Sequence, residues 1–233
     1  MITGHEDSEG RKTAAYLKYV PHGGTLLDCG ANVGVFANLA ADKFEKIICI
    51  EANVKTFQRL SELWCQTPNP PKTYLMNCAV AGTSNETVLV SNPGHSTSAS
   101  CSRKRRKNAE YNEVTTITLN LLCILHRPNV IKLDIEGFEY EALENWDQFD
   151  GVTGLIIEFH KLTNPVWFDR FMKIEDKLQA AGFIRIKPET FWLRKDGLAT
   201  KWGYALTAYR KDERNELQLR READGVSHDR SQL

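Results

Sequence analysis

The 233-residue sequence has no apolar run long enough to span a bilayer and no secretory-leader core near its N-terminus, so neither feature is expected. It carries no net charge. Thirty Lys and Arg balance thirty Asp and Glu, which excludes a global field that would draw the chain onto nucleic acid or an anionic membrane. Six cysteines (29, 49, 65, 78, 101, 123) include no C-x-x-C pair, which argues against a zinc cluster or a disulfide framework. Cys29, Cys49 and Cys78 lie in or beside strand-like runs, where free cysteine acts as a small buried hydrophobe. A reducing cytoplasm is the expected setting. No internal repeat is present, and at 42% hydrophobic and 26% charged residues the composition is that of an ordinary globular domain.

The apolar pattern alternates between strand and helix. Residues 1–20 read as an N-terminal segment with a short helix from Arg11 to Val20. Strands are expected at Thr25–Cys29, Lys46–Ile50, Thr73–Val80, Thr87–Val90, Val114–Thr118, Val130–Ile135 and Gly154–His160. Helical faces recur at Val33, Phe36, Ala37, Ala40, Ala41 and Phe44, and again at Val54, Phe57, Leu60 and Trp64. Leu119–Leu125 and Phe138–Trp146 read as further helices. Another begins on the Asn164-Pro165 cap, buries Phe171, Ile174, Leu178 and Ala181, and stops at Gly182. Phe183–Lys187, Thr190–Leu193 and Tyr204–Tyr209 are late strands. Residues 211–233 form a charged tail without aromatics, which reads as disordered or as a loosely held helix. Such alternation predicts an α/β domain over residues 21–210, with a mostly parallel sheet wrapped by helices on both faces.

In open sheets of this kind ligands bind beyond the carboxyl ends of the strands. At the first of these ends stands Asp28-Cys29-Gly30-Ala31-Asn32-Val33-Gly34. A strand turning on glycine into a helix lets backbone approach a ligand and offers unpaired N–H donors. The turn lacks the third glycine of a dinucleotide fingerprint, and Asp28 would repel a pyrophosphate while suiting a cationic, amine-bearing ligand. Glu51, about twenty residues on, is placed to accept both ribose hydroxyls of a nucleoside, or else to serve as an acid at a helix start. Together these favour S-adenosylmethionine over NAD.

The elements D-C-G-A-N-V-G (28–34), I-E-A-N (50–53), N-C-A-V (77–80), T-T-I-T-L (115–119), I-K-L-D-I-E-G-F-E (131–139) and I-I-E-F-H (156–160) resemble the FkbM-type methyltransferases. The resemblance spans roughly residues 20 to 210. It implies a Rossmann-like class I methyltransferase fold, with a seven-stranded sheet whose last strand is antiparallel, and S-adenosylmethionine as cofactor. Gly30, Asn32 and Gly34 would hold the methionine part, with Asp28 and Val33 beside them. Glu51 and Ala52 would take the ribose, and Asn77, Cys78, Ala79 and Val80 the adenine. Ala52 stands where the family usually has proline, and the loop 91–113, set over the site, is unusually basic through Arg103–Lys107.

Methyl transfer to a hydroxyl requires a group that removes a proton. Asp134 and Glu136 are two residues apart at one strand end, as Glu158 and His160 are at the next. Asp134, Glu136 and His160 are the candidate catalytic residues, with Asp134 or His160 as general base and Glu136 alternatively a helix cap. A divalent cation on Asp134, Glu158 and His160 is the less favoured alternative. Lys132 reads as pointing away from Asp134, a packing or salt-bridge residue. The expected reaction is O-methylation of a sugar, a glycan or a secondary metabolite. Trp167, Phe168, Phe191, Trp192 and Trp202 serve either to stack on sugar or as core. Two alternatives stand beside this one. One is RNA ribose 2′-O-methylation, using Lys12 or Lys18 with Asp134, Lys161 and Glu189 and gripping phosphates with Arg103–Lys107. The other is a cofactor-binding scaffold without catalysis.

Overall fold

Strands buried on both faces have near-continuous apolar sequences, and the centre of this sheet follows that rule. β1 (Thr25–Cys29) is buried at all five positions and β8 (Val130–Leu133) at all four. The computed structural model describes residues 10–67, 70–91, 101–102, 110–160, 165–186 and 205–212. In chain order β1 leads to α1 (Val35–Ala40), β2 (Lys46–Ile50), α2 (Val54–Trp64) and β3 (Lys72–Met76). Four strands of a second layer follow: β4 (Ala79–Val80), β5 (Thr87–Ser91), β6 (Cys101–Ser102) and β7 (Tyr111–Ile117). Next come α3 (Leu119–His126), β8, α4 (Glu139–Glu144), β9 (Gly154–Phe159), α5 (Pro165–Ala180), β10 (Phe183–Ile186) and β11 (Ala205–Lys211).

The main sheet has seven strands in the order β10-β11-β9-β8-β1-β2-β3. β9, β8, β1, β2 and β3 pair in parallel, and β11 is antiparallel to both neighbours. Alternation along the strands divides the core between the two faces. Leu27, Ile48 and Leu133 pack with Leu122, Tyr140 and Phe171 on one side. Leu26, Ile47 and Ile156 pack with Phe36, Leu60 and Trp64 on the other. The chain leaves β1 toward β2 on one side and returns as β8 on the other, so the crevice at the topological switch opens at the carboxyl ends of β1 and β8.

Local chemistry sets the helix starts. Asn53 caps α2, its side-chain oxygen accepting from Lys55 N and Thr56 N at 3.0 and 3.1 Å. Thr118 caps α3 by accepting from Leu121 N at 3.2 Å.

Three expectations change. The third strand is not continuous over Thr73–Val80. β3 ends at Met76, and Ala79–Val80 joins β7 in a separate four-stranded sheet, β4-β7-β5-β6. The break falls where the Asn77 amide donates to the carbonyls of Glu51 (2.8 Å) and Ala52 (3.2 Å), tying the chain to the end of β2 and diverting it from the main sheet. The N-terminal helix divides into residues 10–14 and a 3₁₀ turn at Leu17–Tyr19. The strand at 130–135 ends at Leu133, so Asp134 and Glu136 lie in a loop rather than on one strand face. Arg103–Lys107 and most of the loop 91–113, Lys161, Asn164, Thr190–Leu193 with Glu189, Trp202 and the tail beyond residue 212 lie outside the described residues. No helix among the described residues is long and apolar enough to cross a membrane.

Candidate active site

A cleft of about 900 Å³, open to solvent, lies over the ends of β1, β2 and β8. Of the residues expected to bind cofactor, Gly30, Asn32, Val33, Glu51, Ala52, Cys78, Ala79 and Val80 line it. Asp134 and Glu136 line it as well. Asp28, Gly34 and Asn77 do not form its walls. Asp28 lies beneath the floor, fully buried. Gly34 starts α1 at φ +85°, and a Cβ there would stand 2.6 Å from Leu60 Cδ1, so this glycine serves helix packing. Asn77 acts from behind, through Glu51 and Ala52.

The glycine turn follows from crowding. Gly30 has φ +77°, and a Cβ there would stand 1.7 Å from the Asp134 carbonyl oxygen, so no other residue fits between the two strand ends. Gly30 N and Ala31 N both donate to Ile50 O at 2.9 Å, and Asp134 N donates to Cys29 O at 3.1 Å, which sews the three strand ends together. Glu51 then clamps the turn. It accepts from Asn32 N at 2.9 Å on one carboxylate oxygen and from Asn53 N at 2.7 Å on the other. Burial pushes its carboxyl up and these two N–H donors pull it back, leaving it raised. Each oxygen keeps a second lone-pair direction for an incoming hydroxyl. Asn32 Oδ1 is buried and has no hydrogen-bond partner among the described residues. A buried, unmatched acceptor on a residue of the cleft wall suits an amine donor.

Lys132 corrects its expected direction. It pairs in register with Asp28 across β1 and β8, and its ammonium lies 3.4 Å from Asp28 and 3.5 Å from Asp134. It donates to Gly30 O at 2.6 Å. Residues two apart near a strand end share a side, so Lys132 meets Asp134 rather than avoiding it. It also reaches the cleft wall. Burial opposes both charges, yet Asp28 and Asp134 hold the Lys132 ammonium above its usual range, so the proton stays on lysine. The negative charge of Asp28 is thus engaged by Lys132 beneath the cleft.

At the far end stands an acidic rim. Glu136 adopts φ +56° and lies next to Gly137 at φ +110°, a left-handed pair that projects Glu136 into the cleft. It does not cap α4. Its side chain is 43% exposed, yet loss of water around the rest of it pushes its carboxyl up to about 7, against the opposing pull of His160. His160 stands behind it, Nε2 at 3.5 Å from Glu136 Oε2 and Nδ1 at 2.9 Å from Glu139 Oε1. Burial disfavours the imidazolium, but Glu139, Glu136 and Asp134 outweigh it and push His160 up to about 10. Ligand atoms of Asp134, Glu136 and His160 lie within 4.8 Å of one another, a spacing that could hold a cation. Glu158 is not part of that group and instead faces Lys12 at 3.9 Å.

Several site residues carry no clear sequence signal. Gly10 and Thr13 of the N-terminal turn and Val90 of the second sheet line the cleft. Glu139 reads in sequence only as a first-turn acid, because its partner His160 lies far away in the chain. Lys18 lies over the Tyr19 ring rather than at the cleft. Trp167 and Phe168 pack against the core, Trp167 against Tyr140 at 4.9 Å between ring centroids.

An open sheet with its cleft at the switch point, walled by a two-glycine turn and an acid at the next strand end, is the ligand site of a Rossmann-like fold built for a nucleoside-type group. The family follows from the chain itself: residues 28–185 match the Methyltransferase FkbM domain, and the protein belongs to that family. The hexuronic acid methyltransferase AglP of Haloferax volcanii is 29% identical over 146 residues, 60% of this chain and 57% of the relative. The chain thus spans little more than half that relative's length. A solved FkbM methyltransferase from Methylobacillus flagellatus KT superposes at a TM-score of 0.49 with 15% identity, covering 84% of this chain and 50% of its own. A precorrin-6y C5,15-methyltransferase from Geobacter metallireducens GS-15 superposes at 0.48 with 10% identity, covering 91% of each chain.

Proposed function

We propose that the protein is an S-adenosylmethionine-dependent O-methyltransferase acting on a hydroxyl of a sugar or glycan. One observation carries the reading: a single cleft is lined by Asn32 and Glu51, the proposed amine- and diol-accepting groups, and also by Asp134 and Glu136 of the acidic rim. The cofactor supplies a methyl group activated on a sulfonium. The chain's own residues do the rest. Asn32 Oδ1 accepts from the ammonium, Glu51 accepts from the ribose hydroxyls, and Cys78–Val80 give the adenine an apolar wall. Glu136 takes the proton of the acceptor hydroxyl as its oxygen is alkylated, because a carboxyl near pH 7 suits that transfer. His160, an imidazolium at neutral pH, holds Glu136 in place instead of acting as base. No cation is needed in this scheme. Similarity to a hexuronic acid methyltransferase supports a sugar-type acceptor over a secondary metabolite.

Incubation with methyl-labelled cofactor and a panel of hexuronate- and hexose-bearing glycans, with an RNA arm, tests this. Label is expected in the glycans. Label in RNA alone would establish the ribose reading, and tight cofactor binding with no transfer would establish the scaffold. Glu51→Gln removes the carboxylate that accepts from the ribose. It is expected to raise the cofactor dissociation constant roughly 10–100-fold by calorimetry; an unchanged constant refutes the ribose role.

A further inference from the structure

Glu139 is fully buried in the first turn of the short helix α4, and most of its bonds lie outside that helix. A capping acid accepts from the N–H groups of its own helix. Besides its own N–H, Glu139 reaches backward: Oε1 accepts from Ile135 N at 3.1 Å and Gly137 N at 3.0 Å, and Oε2 accepts from Gly137 N at 3.0 Å. Those two N–H groups flank Glu136. The same carboxylate also meets the ring of His160, Nδ1 at 2.9 Å. The next residue completes the grip, as Tyr140 OH donates to His160 O at 2.7 Å. Consecutive residues therefore hold His160 by ring and by backbone, and the far ring nitrogen faces Glu136.

We propose that Glu139 is the positioning residue of the acidic rim, fixing Glu136 from two sides: through the loop that carries it and through His160 behind it. The inference rests on the proposed role of Glu136 as proton acceptor. A buried carboxylate is costly unless its bonds are strong and specific, and the bonds of Glu139 converge on the rim. Burial would raise its carboxyl, but His160 and then the Gly137 N–H outweigh burial and hold it low, so it is ionised and accepts from all of them. With Nδ1–H committed to Glu139, the ring orientation is set and Nε2 faces Glu136 at 3.5 Å, the arrangement in which a carboxylate orients an imidazole through its second nitrogen. These contacts lie at the rim, apart from Asn32 and Glu51 at the other end of the cleft.

Glu139→Gln in the full chain keeps the side-chain shape but removes the charge and sets an amide N–H against Gly137 N. The expected result is a 10–100-fold fall in kcat with the cofactor dissociation constant within about threefold of wild type. The hydrogen-bonded Nδ1–H proton resonance of His160 should be lost from its downfield position. A double-mutant cycle with His160→Gln separates positioning from general loosening. Because the His160 side is then already lost, adding Glu139→Gln to His160→Gln costs less than it does alone, the remainder reporting the loop side. Additive losses, or a single variant within threefold of wild-type kcat, would overturn the proposal. Should Glu139→Gln fail to fold, Glu139→Asp, too short to reach the loop and the ring together, is carried through the same cycle with the same outcomes. Wild-type protein that methylates no acceptor would instead refute the proposed function. The His160 resonance in wild type and variant, which needs no acceptor, would still decide whether the pair exists.

Discussion

Glu136→Gly is expected to abolish most turnover while leaving the protein as stable as wild type. The residue stands at φ +56°, a backbone conformation that costs a non-glycine residue on the order of 1 kcal/mol and that glycine adopts freely. Glycine's greater freedom in the unfolded chain returns a similar amount, about 0.5–1 kcal/mol. The ion pair with His160 is long and half-open to solvent, so its removal adds little. The terms nearly cancel, and the melting temperature should move by no more than about 2–4 °C. Catalysis should not be spared. With the proposed proton acceptor removed, kcat is expected to fall about 10²–10⁴-fold, with cofactor affinity unchanged. The pH profile supplies an independent check. Glu136 must be ionised to accept a proton, so wild-type kcat/KM should rise as pH passes upward through about 7, and Glu136→Gln should lose that limb. Full activity in both variants would move the proton-accepting role to Asp134. Stability loss without activity loss would make the strained loop structural only.

The parts of this molecule that are legible in the sequence are those in which one short segment carries its own reason. β1, β2, β8 and β9 are buried on both faces and have to be apolar runs, so their positions can be read to within a residue or two. The Gly30 turn and Glu51 sit at strand ends, where the topology of an open sheet makes chemistry expected. Illegible features depend on contacts between distant segments. Nothing in Tyr74-Leu75-Met76-Asn77-Cys78 announces that the Asn77 amide will seize the carbonyls of Glu51 and Ala52, so the apolar pattern predicts one long strand where two sheets meet. Glu139 reads locally as a helix-start acid, and only its bond to His160, twenty-one residues later, reveals its place in the rim. Lys132 is the exception, legible in principle. Its pairing with Asp134 follows from strand alternation, and its pairing with Asp28 from the register of β1 on β8.

That lysine carries the largest stability effect expected in the protein. Lys132→Met keeps the length of the stem and removes the ammonium, leaving Asp28 fully buried with no opposite charge and the Gly30 carbonyl without its 2.6 Å donor. Breaking a buried pair from one side costs about 3–5 kcal/mol, because the surviving charge has neither water nor partner. For a domain of this size that corresponds to a fall of roughly 6–20 °C in melting temperature. Protonating Asp28 relieves part of the penalty, and its carboxyl is already pushed upward by burial. The deficit should therefore shrink as pH falls toward the Asp28 pKa and grow above it. The partner substitution isolates the cause. Asp28→Asn added to Lys132→Met removes the stranded charge and should recover most of the lost stability, since apolar or neutral replacements of both partners are often nearly neutral. Cofactor affinity need not return with it, because Gly30 still lacks the donor that holds its turn against the end of β8. Recovery of stability without recovery of binding is the expected result, measured by thermal unfolding and calorimetry on the same samples. A double variant no more stable than Lys132→Met would show that packing of the lysine stem, rather than charge, governs the floor of the cleft.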